Sequence, residues 1–315
     1  MVANPFGDRA AELMEAKRGC IAEKTYKTTK ARLRRIERDM LRLKEEGRVT
    51  TMSPAKMLPE DIKELVVYRK GKKVSASDVN HDIAVMGQLC TMCDNTCVQK
   101  CLAKYPGLKP VDKKECRLPP LPDATYKLIL HRYNTMDHKD FRAIRPYVLV
   151  LLYCGTGARN KELRLAEMND LDQEEWVIWF KHVKGEDSYG DPRPVPIPDE
   201  IIPVVKDYLK AREDFLIAHG VHPSTVTALF CSMNGDHGAM SSNTIRKLKT
   251  YVERDIGQKF ELRDCRRAFG QHYLDNDAEE QDVSNLMGHA STKTTNTYYC
   301  RRRITKSIKN VKGKW

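Results

Sequence analysis

Long apolar runs are missing from this chain. The longest, Tyr147–Cys154 (YVLVLLYC), is 8 residues, far short of the roughly 20 that a membrane-spanning helix needs. The first residues, MVANPFGDRAAELMEAKRG, hold no apolar core of signal-peptide type. Membrane and secreted classes are therefore set aside. No G-x-x-x-x-G-K-[ST] occurs, so a phosphate-cradling loop for ATP is not expected. No H-E-x-x-H or paired acidic cluster stands out, so no metal and no cofactor is expected. No repeat of 20–50 residues is visible either.

Cysteine is not scarce. The ten cysteines sit in a chain long enough to build its core without covalent staples. Reduced thiols in a cytoplasmic protein are the expected state. The 315 residues, 41% hydrophobic and 31% charged, match a soluble globular composition. That length exceeds what one core handles well, so two domains are expected. Lys and Arg number 55 against 43 Asp and Glu, a net +12. Lys17–Arg48 carries 12 basic and 5 acidic residues, and Arg301–Trp315 carries 7 basic and none acidic. Two basic segments suit a polyanion partner, with nucleic acid as the default. A solvated surface and a charged tail would read the same way, and charge alone does not choose.

Patterning divides the chain. Residues 1–22 show little and read as an N-terminal extension. Leu33, Ile36, Met40 and Leu43 then fall at helical spacing, with Arg32, Arg35 and Arg42 on another face. Glu60–Arg69 reads as a short helix. A third helix, capped by Ser75 or Ser77, is expected to run to about Lys104. No strand pattern precedes residue 110, so residues 23–110 read as an all-helical domain. The Pro-rich stretch KPVDKKECRLPPLP marks the linker, residues 111–122. In residues 123–300, Ile144–Tyr153 reads as a buried helix with Pro146 in its first turn. Trp176–Val183 reads as a strand and Val195–Ile197 as its hairpin partner. Asn160–Met168, Asp199–His219, Ser241–Gly257 and Asp264–Leu274 read as helices. The expected class is mainly α with a small antiparallel β-sheet, in two domains, followed by a basic tail, residues 301–315.

The chemistry-bearing residues are scattered through the second half. Gly155-Thr156-Gly157-Ala158-Arg159 sets an arginine just after a tight glycine turn, and Glu162 lies within reach on the next helical turn. Lys184 stands where the strand enters its hairpin loop. Arg263 and Arg266, three apart, share a helix face. Gly288-His289-Ala290-Ser291 follows a helix, and Tyr298 lies nine residues beyond His289. Each element alone reads as an ordinary surface or packing residue.

In order and spacing together, they resemble the tyrosine recombinase family, the phage-integrase and Xer-like enzymes. The resemblance covers about residues 121–300, and the helical N-terminal part is similar to the family's core-binding domain. The family's T-G-x-R-x-x-E-L is matched by Thr156–Leu163, its hairpin lysine by Lys184, and its H-x-x-R by Arg263–Arg266. Its L-G-H-x-[SG] is matched by Met287–Ser291, and its tyrosine by Tyr298. Arg263 departs from the family's histidine. It cannot act as a base near neutral pH, but it can donate hydrogen bonds to phosphate. Met287 for leucine conserves volume.

The resemblance implies a catalytic set of Arg159, Lys184, Arg263, Arg266, His289 and Tyr298. Fixed cations would stabilise the charge that builds on a phosphodiester in its transition state. The planar guanidinium suits paired phosphate oxygens. His289 would add a hydrogen bond, Tyr298 the nucleophile, and Lys184 the proton for the leaving 5′-oxygen. Tyr299 stands beside Tyr298 as the second candidate for nucleophile. The implied partner is double-stranded DNA at a specific recombination site, bound by a homo-oligomer, a tetramer on two sites, in the cytoplasm and nucleoid. A catalytically degenerate DNA-binding protein and a type IB topoisomerase-like relaxing enzyme are the two rival readings.

Two features lie outside the motif. Cys90, Cys93, Cys97 and Cys101 form a stripe on one helix face. On a straight helix it would extend roughly 16 Å, too long for one metal. Core packing is the first reading. A metal site requires a break at Asp94-Asn95, and a redox role is the third reading. In the tail, Ile304, Ile308 and Val311 fall at i, i+4, i+7. That spacing allows either an amphipathic helix or a flexible segment that contacts DNA.

Overall fold

The computed structural model describes residues 5–111, 118–183, 185, 190–289, 291–295, 311, 312 and 314. The chain divides into two compact units, Met1–Lys114 and Glu115–Trp315. The first is all helical: α1 (Pro5–Ala16), α2 (Glu23–Glu45), α3 (Pro59–Gly71), α4 (Ala76–Met92) and α5 (Cys97–Lys104). Leu33, Ile36, Met40 and Leu43 of α2 are buried as their spacing dictates. The reading of residues 1–22 as an extension needs correcting. Phe6, Ala10, Leu13 and Met14 line one face of α1 and belong to the same core. That stripe spans barely two turns, too short to stand out as a period.

The basic face of α2 is partly tied down: the Arg32 side chain is largely buried, while Arg35 and Arg42 remain partly exposed. Arg32 and Arg35 donate to Asp82 of α4, and Arg32 also reaches Asp78. Arg69 of α3 bridges Asp82 and Asp39. Arg32, Arg69, Asp39 and Asp82 are buried deeply enough to require such partners.

The third helix also differs from its expected single span. It ends at Met92, Asp94 adopts a left-handed φ of 56°, and α5 begins at Cys97. Aspartate tolerates that conformation better than most residues. The Asn95 side chain secures the break, donating to the carbonyls of Pro54 and Met57 and accepting from the Cys97 amide. Cys90, Cys97 and Cys101 are buried in the core. Burial pushes the Cys101 thiol up to about 11. Among the described residues no group of three or more ligating side chains gathers around a common point.

The second unit holds α6 (Asp123–Asn134), α7 (Phe141–Thr156), α8 (Asn160–Leu165), β1 (Leu171–Asp172), β2 (Val177–Phe180), β3 (Arg193–Pro196), α9 (Ile202–Ala218), α10 (Ser242–Ile256), α11 (Leu262–Asp275) and α12 (Glu280–Met287). Every residue of α7 from Ile144 to Thr156 is buried, because α6, α9, α10 and α11 all pack on it. Helix α7 starts at Phe141, where Asp140 accepts the amides of Arg142 and Ala143. Pro146 is thus the sixth helical residue, not part of the first turn. Leu121, read as linker, is buried in this core, and its amide donates to Asp264.

The sheet is antiparallel in the order β1-β2-β3. The mainly helical class with a small antiparallel sheet is as expected. The central strand is shorter than its apolar run because Trp176, with φ of 53°, turns the chain out of β1. Ile178 pairs with Val195 and Phe180 with Arg193, so the loop carrying Lys184 leaves from the Phe180–Arg193 pair.

Candidate active site

Three helix ends build the site. Gly157 ends α7 in the left-handed conformation, φ 59°, and a Cβ there would lie 2.5 Å from the Phe269 ring of α11. Only glycine allows α7 and α11 to approach so closely. The chain then turns through buried Ala158 and places Arg159 at the head of α8. There the Glu162 carboxylate accepts the Arg159 amide at 2.7 Å and the Arg159 Nη1 at 2.7 Å. One side chain thus caps α8 and orients the arginine.

The third end is the C-terminus of α12. Gly288 caps it in the left-handed conformation, φ 63°. The last carbonyls of a helix have no partner within it and mark the negative end of its dipole. Here three arginines from three elements take them. Arg193 Nε donates to the Leu286 carbonyl at 2.7 Å, Arg266 Nη2 to Met287, and Arg159 Nη2 to Gly288 at 2.7 Å. Arg266 also donates to the Gly157 carbonyl, so it ties the end of α7 to the end of α12. Arg193 completes the group by gripping both Glu162 oxygens, at 3.0 and 2.8 Å.

Among the described side chains, positive charge outnumbers negative in this cluster. Three guanidinium groups face one carboxylate, 3 − 1, a net +2 among the described side chains. Burial pushes the Glu162 carboxyl up, but the hydrogen bonds and charge of Arg193 and the charge of Arg159 outweigh it and hold it at about 2. His289 follows Gly288 directly. Burial, then the charges of Arg266, Arg159 and Arg193, lower its pKa to about 3. It is neutral at pH 7. Arg266 can only donate, so the His289 Nε2 that meets it at 3.0 Å accepts. The ring proton is then on Nδ1, which donates to Thr295 Oγ1 at 2.7 Å.

Arg159, Arg266 and His289, predicted from sequence, are therefore brought together. Arg266 is 2% exposed, whereas the Arg159 side chain is 28% exposed. Arg263 stands apart: it is exposed on the first turn of α11 and makes no hydrogen bond or ion pair among the described residues. Lys184, Tyr298 and Tyr299 lie outside the described residues, as does the tail apart from residues 311, 312 and 314. The nearby Lys181 is paired with Asp170 at 2.6 Å.

Sequence reasoning missed Arg193. A signal was present: Arg193 shares the inward phase of its strand with Val195, and an arginine on a buried phase requires an anion.

A model of the phage integrase family matches residues 121–303. Tyrosine recombinase XerA of Pyrococcus furiosus is 28% identical over 155 residues, 49% of this chain and 50% of that protein. Tyrosine recombinase XerC of Pseudomonas fluorescens is 29% identical over 192 residues, 61% of this chain and 59% of that protein. The chain thus spans between half and three-fifths of the length of these relatives. Among solved structures, the Tn1549 transposon integrase in complex with a circular intermediate DNA superposes with a TM-score of 0.69 at 16% identity, over 98% of this chain and 99% of that one. A lambda integrase dimer bound to a COC′ core site gives 0.64 at 13% identity, over 95% and 98%. At these identities the likeness is one of fold.

Proposed function

The chain belongs to the phage integrase family, and from that premise we propose that it is a site-specific DNA recombinase working through a covalent 3′-phosphotyrosyl intermediate. The convergence of Arg159, Arg193 and Arg266 on the end of α12, with Glu162 as the carboxylate among the described side chains, is the observation that carries this reading. Buried Arg193 and Arg266 back the partly exposed Arg159, which makes a fixed seat for an anion, and a phosphodiester gains charge in its transition state.

Arg159 is the exposed member of the cluster and takes non-bridging phosphate oxygens. Arg266 adds its charge from beneath and fixes His289. Arg263, one turn ahead on α11, supplies a further donor from the solvent side. The Tyr298 oxygen gives up its proton to solvent and bonds to phosphorus while the bond to the 5′-oxygen breaks, and Lys184 supplies that oxygen's proton. Attack by a 5′-hydroxyl of another strand then rejoins the DNA in a new order. The bond energy stays in the phosphotyrosine, so this route needs neither ATP nor a metal. The reading extends to strand exchange through a Holliday junction by four protomers on two sites, in the cytoplasm at the nucleoid.

The test is a covalent trap. Wild type and Tyr298→Phe are incubated with nicked and supercoiled DNA from the chain's own genomic neighbourhood, and SDS-resistant adducts are scored. An adduct with wild type alone is expected. Tight binding without any adduct would make the protein a DNA-binding module. An adduct that survives in Tyr298→Phe but not in Tyr299→Phe would move the nucleophile to Tyr299.

A further inference from the structure

We propose that Arg193 is a positioning residue of the active site, acting through Glu162 and the end of α12 rather than on the phosphate. The inference rests on the recombinase reading for what is positioned. Its geometry stands independently. The Arg193 side chain is 8% exposed. Its guanidinium uses Nε on the Leu286 carbonyl, Nη1 on Glu162 Oε1 and Nη2 on Glu162 Oε2. Three of its five N–H donors are engaged within the protein, and at this depth the guanidinium presents little surface to a phosphate. Its plane also lies near the Phe180 ring, 5.3 Å from the centroid.

These contacts place Arg193 where three parts of the site meet. Glu162 is the carboxylate that orients Arg159. Leu286 heads the run of carbonyls that holds Arg266 and Arg159. Through its pairing with Phe180, Arg193 is also the return foot of the hairpin loop that carries Lys184. A Cβ on Gly288 would come within 2.7 Å of its Nη1, so the glycine of the Gly-His motif makes room for this arginine. Without Arg193, Glu162 would answer to Arg159 alone, and the buried carboxylate would lose its bidentate grip. Lysine is no substitute, because a point charge cannot span two carboxylate oxygens and a carbonyl together.

Three variants test this: Arg193→Met, Arg193→Lys and Glu162→Gln, with the Arg193→Met/Glu162→Gln double. DNA affinity, single-turnover adduct formation on the substrate that traps wild type, and the His289 ring titration by NMR are compared. Arg193→Met is expected to bind DNA within about threefold of wild type and to form adduct on the order of a hundredfold more slowly, the size of a small misplacement of a reacting group. Arg193→Lys should recover only part of that loss. The double variant should be no slower than the worse single, since both changes remove one linkage. The His289 titration should move up in Arg193→Met and stay near wild type in Arg193→Lys. Unchanged adduct rates, or losses that multiply in the double, would overturn the proposal. So would a fall in DNA binding that matches the fall in rate. If wild type forms no adduct, the recombinase reading fails. In that case an unmoved His289 titration in Arg193→Met would still overturn the linkage from Arg193 to the site.

Discussion

Glu162 is 1% exposed, a position where burial alone would push its carboxyl above the usual 4.5. Two arginines reverse the sign and hold it at about 2. Its folded pKa lies below its unfolded one, so the unfolded chain binds more protons between those values. Stability from this carboxylate is complete above pH 4.5 and is lost as pH falls toward 2. A shift of that size corresponds to about 3 kcal/mol. Glu162→Gln should therefore flatten the acid limb of a urea-unfolding series between pH 4.5 and 2. At pH 7 the variant should be less stable than wild type, because two arginines lose their counter-charge. An acid limb as steep as wild type would place the titration elsewhere. His289 works in a different window. Its folded pKa of about 3 lies below the ordinary 6.5, so its contribution is complete above 6.5 and fades as pH falls to 3.

At the scale of elements, the site is a meeting of helix ends. Helix α12 ends on three arginine donors, and α7 ends where glycine alone fits. Gly157→Ala would force a left-handed alanine against the Phe269 ring at 2.5 Å. The conformation costs about 1–2 kcal/mol and the overpacking about 1–3 kcal/mol. A loss of about 2–5 kcal/mol in urea unfolding is expected. Adduct formation should fall further, since the Gly157 carbonyl is also a seat for Arg266. A fully stable variant would show that α7 and α11 can part without strain. Elements also set what could be read in advance. The α2 stripe and the Arg159–Glu162 turn were legible because their partners lie within one or two helical turns. Strand β1, two residues long, has no period to detect, and α1 has barely two turns of one.

Over the whole molecule, each unit closes its own core. One hydrophobic cluster holds residues from Phe6 to Leu108, the other from Leu121 to Met287. The described ion pairs follow the same division, the Asp82 cluster lying in one unit and the Glu162 cluster in the other. Fragments 1–114 and 115–315 should therefore each fold alone, with cooperative thermal unfolding by circular dichroism. A fragment that melts without cooperativity would show that its core depends on the other unit.

The sequence by itself determined the apolar face of α2, the glycine turn after α7, the class of fold and the family motif, from Thr156–Leu163 to Tyr298. All of these are written in residues close together along the chain or in a fixed order. Tertiary structure alone decided which charge answers which. Arg193 meets Glu162 across 31 positions, and Arg32 meets Asp82 across 50. A buried charge must find its partner wherever packing brings one, and helical or strand periodicity reaches only to the next turn.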